Sequence, residues 1–187
     1  MNGVVATQSL QAKIDAAVRL GDPKAIVERI REDLSSAIRD GSLQLPDVVR
    51  TPVEGRYARR LMFSNPELDY TAVAMTWGPA QGTPVHDHAG IWCVEGVVEG
   101  EMQVTQYELE EEHDGLCRFE QKQRVDARVG SAGWLIPPYE HHVLANATDR
   151  VAVTLHIYGG EMEQCNIFVA RENGWYERQA RRLVYDS

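Results

Sequence analysis

The sequence predicts an all-β sandwich or barrel preceded by an α-helical layer. Two observations predict it. Up to about Arg39 the apolar residues recur at helical spacing, and from about Tyr70 they alternate with a period of two. Gly and Pro punctuate this second regime roughly every 8–12 residues, the texture of many short antiparallel strands closing into a sandwich or barrel.

Taken in order, Leu10, Ile14, Ala17 and Val18 define a first helix from about Ser9, and Ile26, Val27, Ile30, Leu34 and Ile38 a second. Between them Asp22 is placed to cap the second helix with Pro23 in its first turn, and Gly41 to end it. The stretches YTAVAMTW, IWCVEGVV, EMQVTQYEL, CRFEQKQRV, GWLIPP, HHVLANA, RVAVTLHIY and CNIFVA read as strands. In the seventh, Val151, Val153, Leu155 and Ile157 share one face, and Thr154, His156 and Tyr158 the other. The acidic stretch from Glu108 to Gly115 reads as a solvated hairpin tip. Helices over residues 1–45 are expected to pack on a barrel over residues 46–187, as one domain overall.

A chain of 187 residues with 25% charged and 43% hydrophobic residues has the composition of a soluble globular protein. Its formal net charge of -9 argues against nucleic acid, whose phosphates require clustered Lys and Arg. Apolar runs fall short of the ~20 residues that span a bilayer, so no membrane partner is expected. The first residues lack a basic segment followed by an apolar one, so no signal peptide is expected either. Three scattered cysteines, Cys93, Cys117 and Cys165, suit a reducing cytoplasm better than a disulfide framework.

Chemistry concentrates in the histidines. His86 and His88 are two apart and point the same way from an extended segment, a geometry that lets both reach one ion; exposed histidines in a polar turn would look the same. A second cluster, PPYEHHVLAN, carries His141, His142 and Asn146. The spacing of Pro137, His142 and Asn146 resembles the second motif of the cupin superfamily, with Tyr139 where a glycine is usual. His86, His88, Cys93 and Gly100 resemble the first motif, with Cys93 in place of the usual glutamate. Among cupins this combination resembles cysteine dioxygenase and the bacterial thiol dioxygenases. TLHIY, from Thr154 to Tyr158, is similar to that family's Ser-x-His-x-Tyr, and YARRL, from Tyr57 to Leu61, to its Tyr-x-Arg-x-Leu. The resemblance runs from Tyr57 to Phe168.

The resemblance implies an iron-dependent oxidoreductase that uses Fe(2+) held by His86, His88 and His142, with His141 as the alternative third ligand. Dioxygen would oxidise a small carboxylate-bearing thiol to its sulfinic acid, as in cysteine catabolism. It implies that Arg59 and Tyr57 bind the substrate, a role for which a planar two-pronged guanidinium suits a carboxylate. It implies that Tyr158 and His156 act as a phenol–imidazole pair, that Thr154 orients His156, and that Cys93 is the partner of a thioether link to Tyr158. Cys117 and Cys165 are read as structural, Trp77 and Trp134 as core, Trp92 as facing away from the site, and Arg60 as pointing away from Arg59. Cysteine is the favoured substrate, ahead of 3-mercaptopropionate and mercaptosuccinate. Isomerase or hydrolase chemistry on a redox-silent metal, and ligand binding without catalysis, stand as the alternatives.

Overall fold

The computed structural model describes residues 2–187. Helix α1 (Asn2–Val18) begins ahead of the expected Ser9, because its first residues carry no apolar period to read. Helix α2 (Pro23–Arg39) starts as expected: the Asp22 carboxylate accepts the Ala25 N–H at 2.8 Å. Gly41 follows with φ 72°, the left-handed conformation that suits a glycine beyond a helix end.

The strands are β1 (Ala58–Asn65), β2 (Tyr70–Trp77), β3 (Val85–His86), β4 (Cys93–Glu99), β5 (Glu101–His113), β6 (Leu116–Arg128), β7 (Ala132–Leu135), β8 (His142–Ala145), β9 (Ala152–Tyr158), β10 (Gln164–Ala170) and β11 (Trp175–Arg182). They form an antiparallel five-stranded sheet in the order β1-β2-β9-β4-β7, and a second set, β10-β11-β6-β5-β8-β3, that closes on itself through β3 and β10. This is the cupin-type barrel with an N-terminal helical layer. The acidic segment does form the tip of the long β5–β6 hairpin, turning at Asp114 and Gly115. The GWLIPP and IWCVEGVV segments pair over shorter lengths than their apolar character suggested, since β7 ends at Leu135 before the prolines and β4 begins only at Cys93.

The two faces of β9 separate two cores. Val153, Leu155 and Ile157 pack outward with Val94, Tyr70 and the helical Ile14, Ile30 and Leu34. Thr154, His156 and Tyr158 face the other way, into the barrel. Helix α2 lies close on β4 at Gly96, where a Cβ would stand 2.9 Å from Leu34 Cδ2. Helix α1 is tied to the sheet by Asp15, which accepts from the Tyr70 hydroxyl at 2.6 Å and the Asn65 amide at 3.0 Å.

Beyond β11 the chain crosses the edge of β1. The Asp186 N–H donates to Arg59 O at 2.6 Å, and the Asp186 carboxylate accepts the Arg59 N–H at 2.9 Å and the Arg56 guanidinium at 2.9 and 2.5 Å. This strap covers the edge and brings Leu183 and Tyr185 against the barrel interior.

Candidate metal centre and substrate pocket

His86 ends β3, His142 begins β8, and the two strands pair at those residues. His88 lies in the loop that follows, fixed by its N–H donating to the Glu140 carboxylate at 2.6 Å. The register therefore brings three imidazoles together: their nearest ring nitrogens lie within 4.8 Å of one another, and the Nε2 atoms of His86 and His142 are 3.1 Å apart. His141 points to the other side of β8, against Phe119 and Phe168, with ring centroids at 5.0 and 5.4 Å.

The other ring nitrogen of each faces an oxygen. His86 Nδ1 is 3.2 Å from Pro84 O, His88 Nδ1 is 3.7 Å from Glu140 Oε2, and His142 Nδ1 is 3.6 Å from Glu95 Oε1. Burial lowers the pKa of His86 to about 4 and those of His88 and His142 well below the usual value, with neighbouring imidazoles adding to it. Neutral imidazoles are what a metal requires of its ligands. Two nitrogens about 3 Å apart also match cis positions on an ion with ligands at roughly 2.1 Å, so the three residues fit a divalent metal.

The pocket in front of these rings has a volume of about 20 Å³ and includes Tyr57, Arg59, Trp77, Met162, Cys165 and Leu183. Arg59 is 4% exposed; its Nη2 donates to Met162 O at 3.3 Å, its Nε is buried with no partner among the described residues, and its guanidinium lies 5.2 Å from the Tyr185 ring centroid. A buried cation without an ion pair suits an incoming carboxylate. Arg60 turns away, donating to Thr76 Oγ1 at 3.0 Å and Thr51 O at 2.9 Å.

On β9, Trp77 Nε1 donates to Thr154 Oγ1 at 2.9 Å, and Thr154 Oγ1 is 2.8 Å from His156 Nε2. With the threonine oxygen already accepting, its own proton points to Nε2 and leaves the His156 proton on Nδ1. That nitrogen faces Glu95 Oε2 at 3.4 Å. His156 and Tyr158 stack with ring centroids 6.0 Å apart, without a hydrogen bond between them. The expected direct phenol–imidazole pair is thus replaced by a ring contact, because both imidazole nitrogens are directed elsewhere. Burial, with the Cys93 thiol next, raises the Tyr158 pKa, so this phenol keeps its proton. Cys93 and Tyr158 are direct partners across β4 and β9.

Four residues escaped the sequence reading. Trp77 and Cys165 line the pocket rather than serving as core alone, and Tyr185 contacts Arg59 through the strap. Glu95 is the fourth; burial pushes its carboxyl up to about 8. It shares a strand face with Cys93, a period-two signal that gives its direction into the barrel but not its two imidazole neighbours. Trp92 packs among the helix-side residues, Trp134 lines a separate cavity, and His113 is exposed beside Asp114. Cys117 is buried away from the pocket, among Val85, Phe168 and their neighbours.

Among known proteins, a family model described as cysteine dioxygenase type I matches residues 54–171. Solved structures similar to the chain include a Thermus thermophilus protein, 19% identical with a TM-score of 0.47 over 61% of this chain and 94% of that one. Another is a double-stranded beta-helix domain protein of Klebsiella pneumoniae, 17% identical with a TM-score of 0.46 over 62% of this chain and 88% of that one. A third is an RmlC-like cupin protein of Desulfovibrio desulfuricans, 19% identical with a TM-score of 0.43 over 58% and 86% of the two chains. No helix among the described residues is long and apolar enough to cross a membrane.

Proposed function

Because the chain belongs to the cysteine dioxygenase type I family, matched over residues 54–171, we propose that it is an iron(II) thiol dioxygenase. It would convert a small thiol carboxylate to the sulfinate, both atoms of dioxygen going to sulfur. The observation that carries this is one pocket holding three neutral imidazoles beside a buried, unpaired arginine. We assign His86, His88 and His142 to the metal. Iron(II), when bound, supplies the redox chemistry that lets dioxygen combine with a thiolate, which zinc cannot supply. The alternative readings on a redox-silent metal are therefore separated from this one by oxygen consumption.

The chain's own residues bind and orient. Arg59 takes the substrate carboxylate, which is the partner its Nε lacks. Tyr57, stacked on Trp77 with centroids 4.6 Å apart, forms the wall beside it. Tyr158 holds its proton and donates it as a hydrogen bond toward the reacting atoms. Met162 and Leu183 close the pocket against water. Cysteine fits this arrangement, and 3-mercaptopropionate asks for the same single carboxylate clamp. Mercaptosuccinate fits less well, since Arg60 is committed to Thr76 and Thr51 and offers no second clamp. A reducing, cytoplasmic setting agrees with three free, buried cysteines.

The test is metal analysis combined with oxygen uptake on the purified protein and two variants. Iron-loaded wild-type protein should consume one dioxygen per thiol and release the sulfinate. His142→Ala should lose iron and activity together, while His141→Ala keeps both. Turnover with zinc in place of iron, or without oxygen uptake, would overturn the proposal.

A further inference from the structure

We infer that Glu95 is a positioning residue that ties the metal-facing His142 to His156 on the opposite wall of the pocket, one carboxyl oxygen serving each ring. This inference rests on the three-histidine reading above and goes beyond it. Glu95 stands on β4 directly opposite His156 of β9 and two residues after Cys93, so its side chain enters the barrel on the same face. Its Oε1 lies 3.6 Å from His142 Nδ1 and its Oε2 lies 3.4 Å from His156 Nδ1.

Both of these ring nitrogens, and Oε2 itself, are buried without a hydrogen-bond partner among the described residues. A buried ring N–H left unpaired is costly, so such a set of neighbours is driven to close. Each gap exceeds a normal hydrogen bond by about half an ångström, which a small side-chain torsion covers. The tautomers agree with this. His142 directs Nε2 at His86, and Nε2 of His156 meets the Thr154 hydroxyl, so Nδ1 is the nitrogen left to donate in both rings.

Glu95 acts from behind the ring. Its carboxyl faces the Nδ1 side of His142, whereas the metal-facing side is Nε2. The other two imidazoles have comparable oxygens at their backs, Pro84 O for His86 and Glu140 for His88, and neither serves a second ring of the pocket. Among the described residues, Glu95 alone joins a metal-facing histidine to a residue of the substrate wall. It also borders a second, mainly apolar cavity of about 240 Å³, which reaches His142 and Thr154 from the β7 side. Water entering there would compete for the same ring nitrogens, and the carboxyl that stands between them denies it that place.

The experiment measures cobalt(II) binding to the metal-free protein by its visible absorption in competition with a chelator, for wild type, Glu95→Gln and Glu95→Leu. Nitrogen-15 NMR of the histidine rings in the metal-free proteins accompanies it. Loss of an imidazole's outer partner typically weakens metal binding roughly 10–100-fold, and Glu95→Leu should fall in that range. Glu95→Gln, nearly the same shape but with one acceptor oxygen, should lose less. In wild type the His142 and His156 rings should both carry the proton on Nδ1, and in Glu95→Leu the His142 ring should become mixed while Thr154 still holds the His156 tautomer. Unchanged affinity and unchanged tautomers in the two variants would overturn the inference while leaving the three-histidine reading intact. Wild-type protein that takes up no cobalt would overturn both. Two ions per wild-type chain, reduced to one by Glu95→Gln, would make Glu95 a ligand with Cys93 and His156 and overturn the positioning role.

Discussion

Cys93 and Tyr158 stand opposite each other on neighbouring antiparallel strands, both buried and both directed into the barrel beside His88. Side chains at such a pair have Cβ atoms about 4.5–5.5 Å apart, within reach of a sulfur–ring bond. Aerobic turnover of the iron form should therefore produce a thioether. The thiol and the ring carbon next to the phenol each lose a hydrogen, and dioxygen accepts the two electrons and two protons. Intact mass should fall by two hydrogen atoms and a Cys93–Tyr158 linked peptide should appear on digestion. Cys93→Ala should abolish the link. A full-mass protein after extended turnover would show that strand pairing alone does not suffice.

Arg59 should govern the carboxylate and little else. A charge-assisted hydrogen bond is worth about 1.5–3 kcal/mol, so Arg59→Gln should lower kcat/KM for L-cysteine roughly 10–100-fold, mostly through KM. Cysteamine, which has the thiol but no carboxylate, provides the contrast. Its much weaker turnover should be nearly the same in wild type and variant. An equal loss for both substrates would mean that Arg59 supports the pocket rather than the substrate.

The parts legible in the sequence were those with a local period. Asp22, Pro23 and Gly41 announce α2 because capping is settled by neighbours in the chain, and the alternation through Val153–Tyr158 separates helix-facing from barrel-facing residues because β9 is buried on both sides. The His86–His88 spacing and the register position of His142 follow the same logic. What stayed hidden depends on contacts distant in sequence. β11 reads WYERQARR, too polar to alternate, and is a strand because β10 and β6 supply its hydrogen bonds. Tyr185 meets Arg59 only because Asp186 fastens the strap to β1. Glu95 resembles any strand glutamate until β8 and β9 bring two imidazoles to its oxygens.

Acid should weaken the metal-free protein. An unfolded histidine takes up its proton near 6.5, whereas burial delays this in the folded chain to about 4 at His86 and about 3 at His156. The unfolded state then binds more protons, so stability present above about 6.5 is lost progressively as the pH falls toward those lower values. The Glu95 carboxyl, raised to about 8, acts in the opposite sense, its contribution declining as pH rises from about 4.5 to 8. Glu95 and Glu140, the latter also raised by burial, are outnumbered by the five imidazoles of His86, His88, His141, His142 and His156, all of which burial lowers. Urea midpoints measured at pH 7.5, 6 and 5 should therefore descend in that order, and flat or rising midpoints would contradict the buried neutral cluster.

The contact of α2 with β4 makes a separable prediction. At Gly96 a Cβ would meet Leu34 Cδ2 at 2.9 Å, Ile38 Cδ1 at 3.0 Å and Leu34 Cγ at 3.1 Å, all side-chain atoms of the helix rather than backbone. Gly96→Ala must then push two packed side chains off their positions, which costs roughly 1–3 kcal/mol. For a chain of this size each kcal/mol lowers Tm by about 2–4 °C. Because the strain is carried by Leu34, Leu34→Ala should relieve much of it. The double variant should lose clearly less than the sum of the two single losses, the mark of residues in contact. Cobalt stoichiometry should be unchanged throughout, since the clash lies on the outer face of the sheet and the three histidines on the inner one. Strict additivity of the two losses in a thermal melt would mean that α2 does not seat on Gly96.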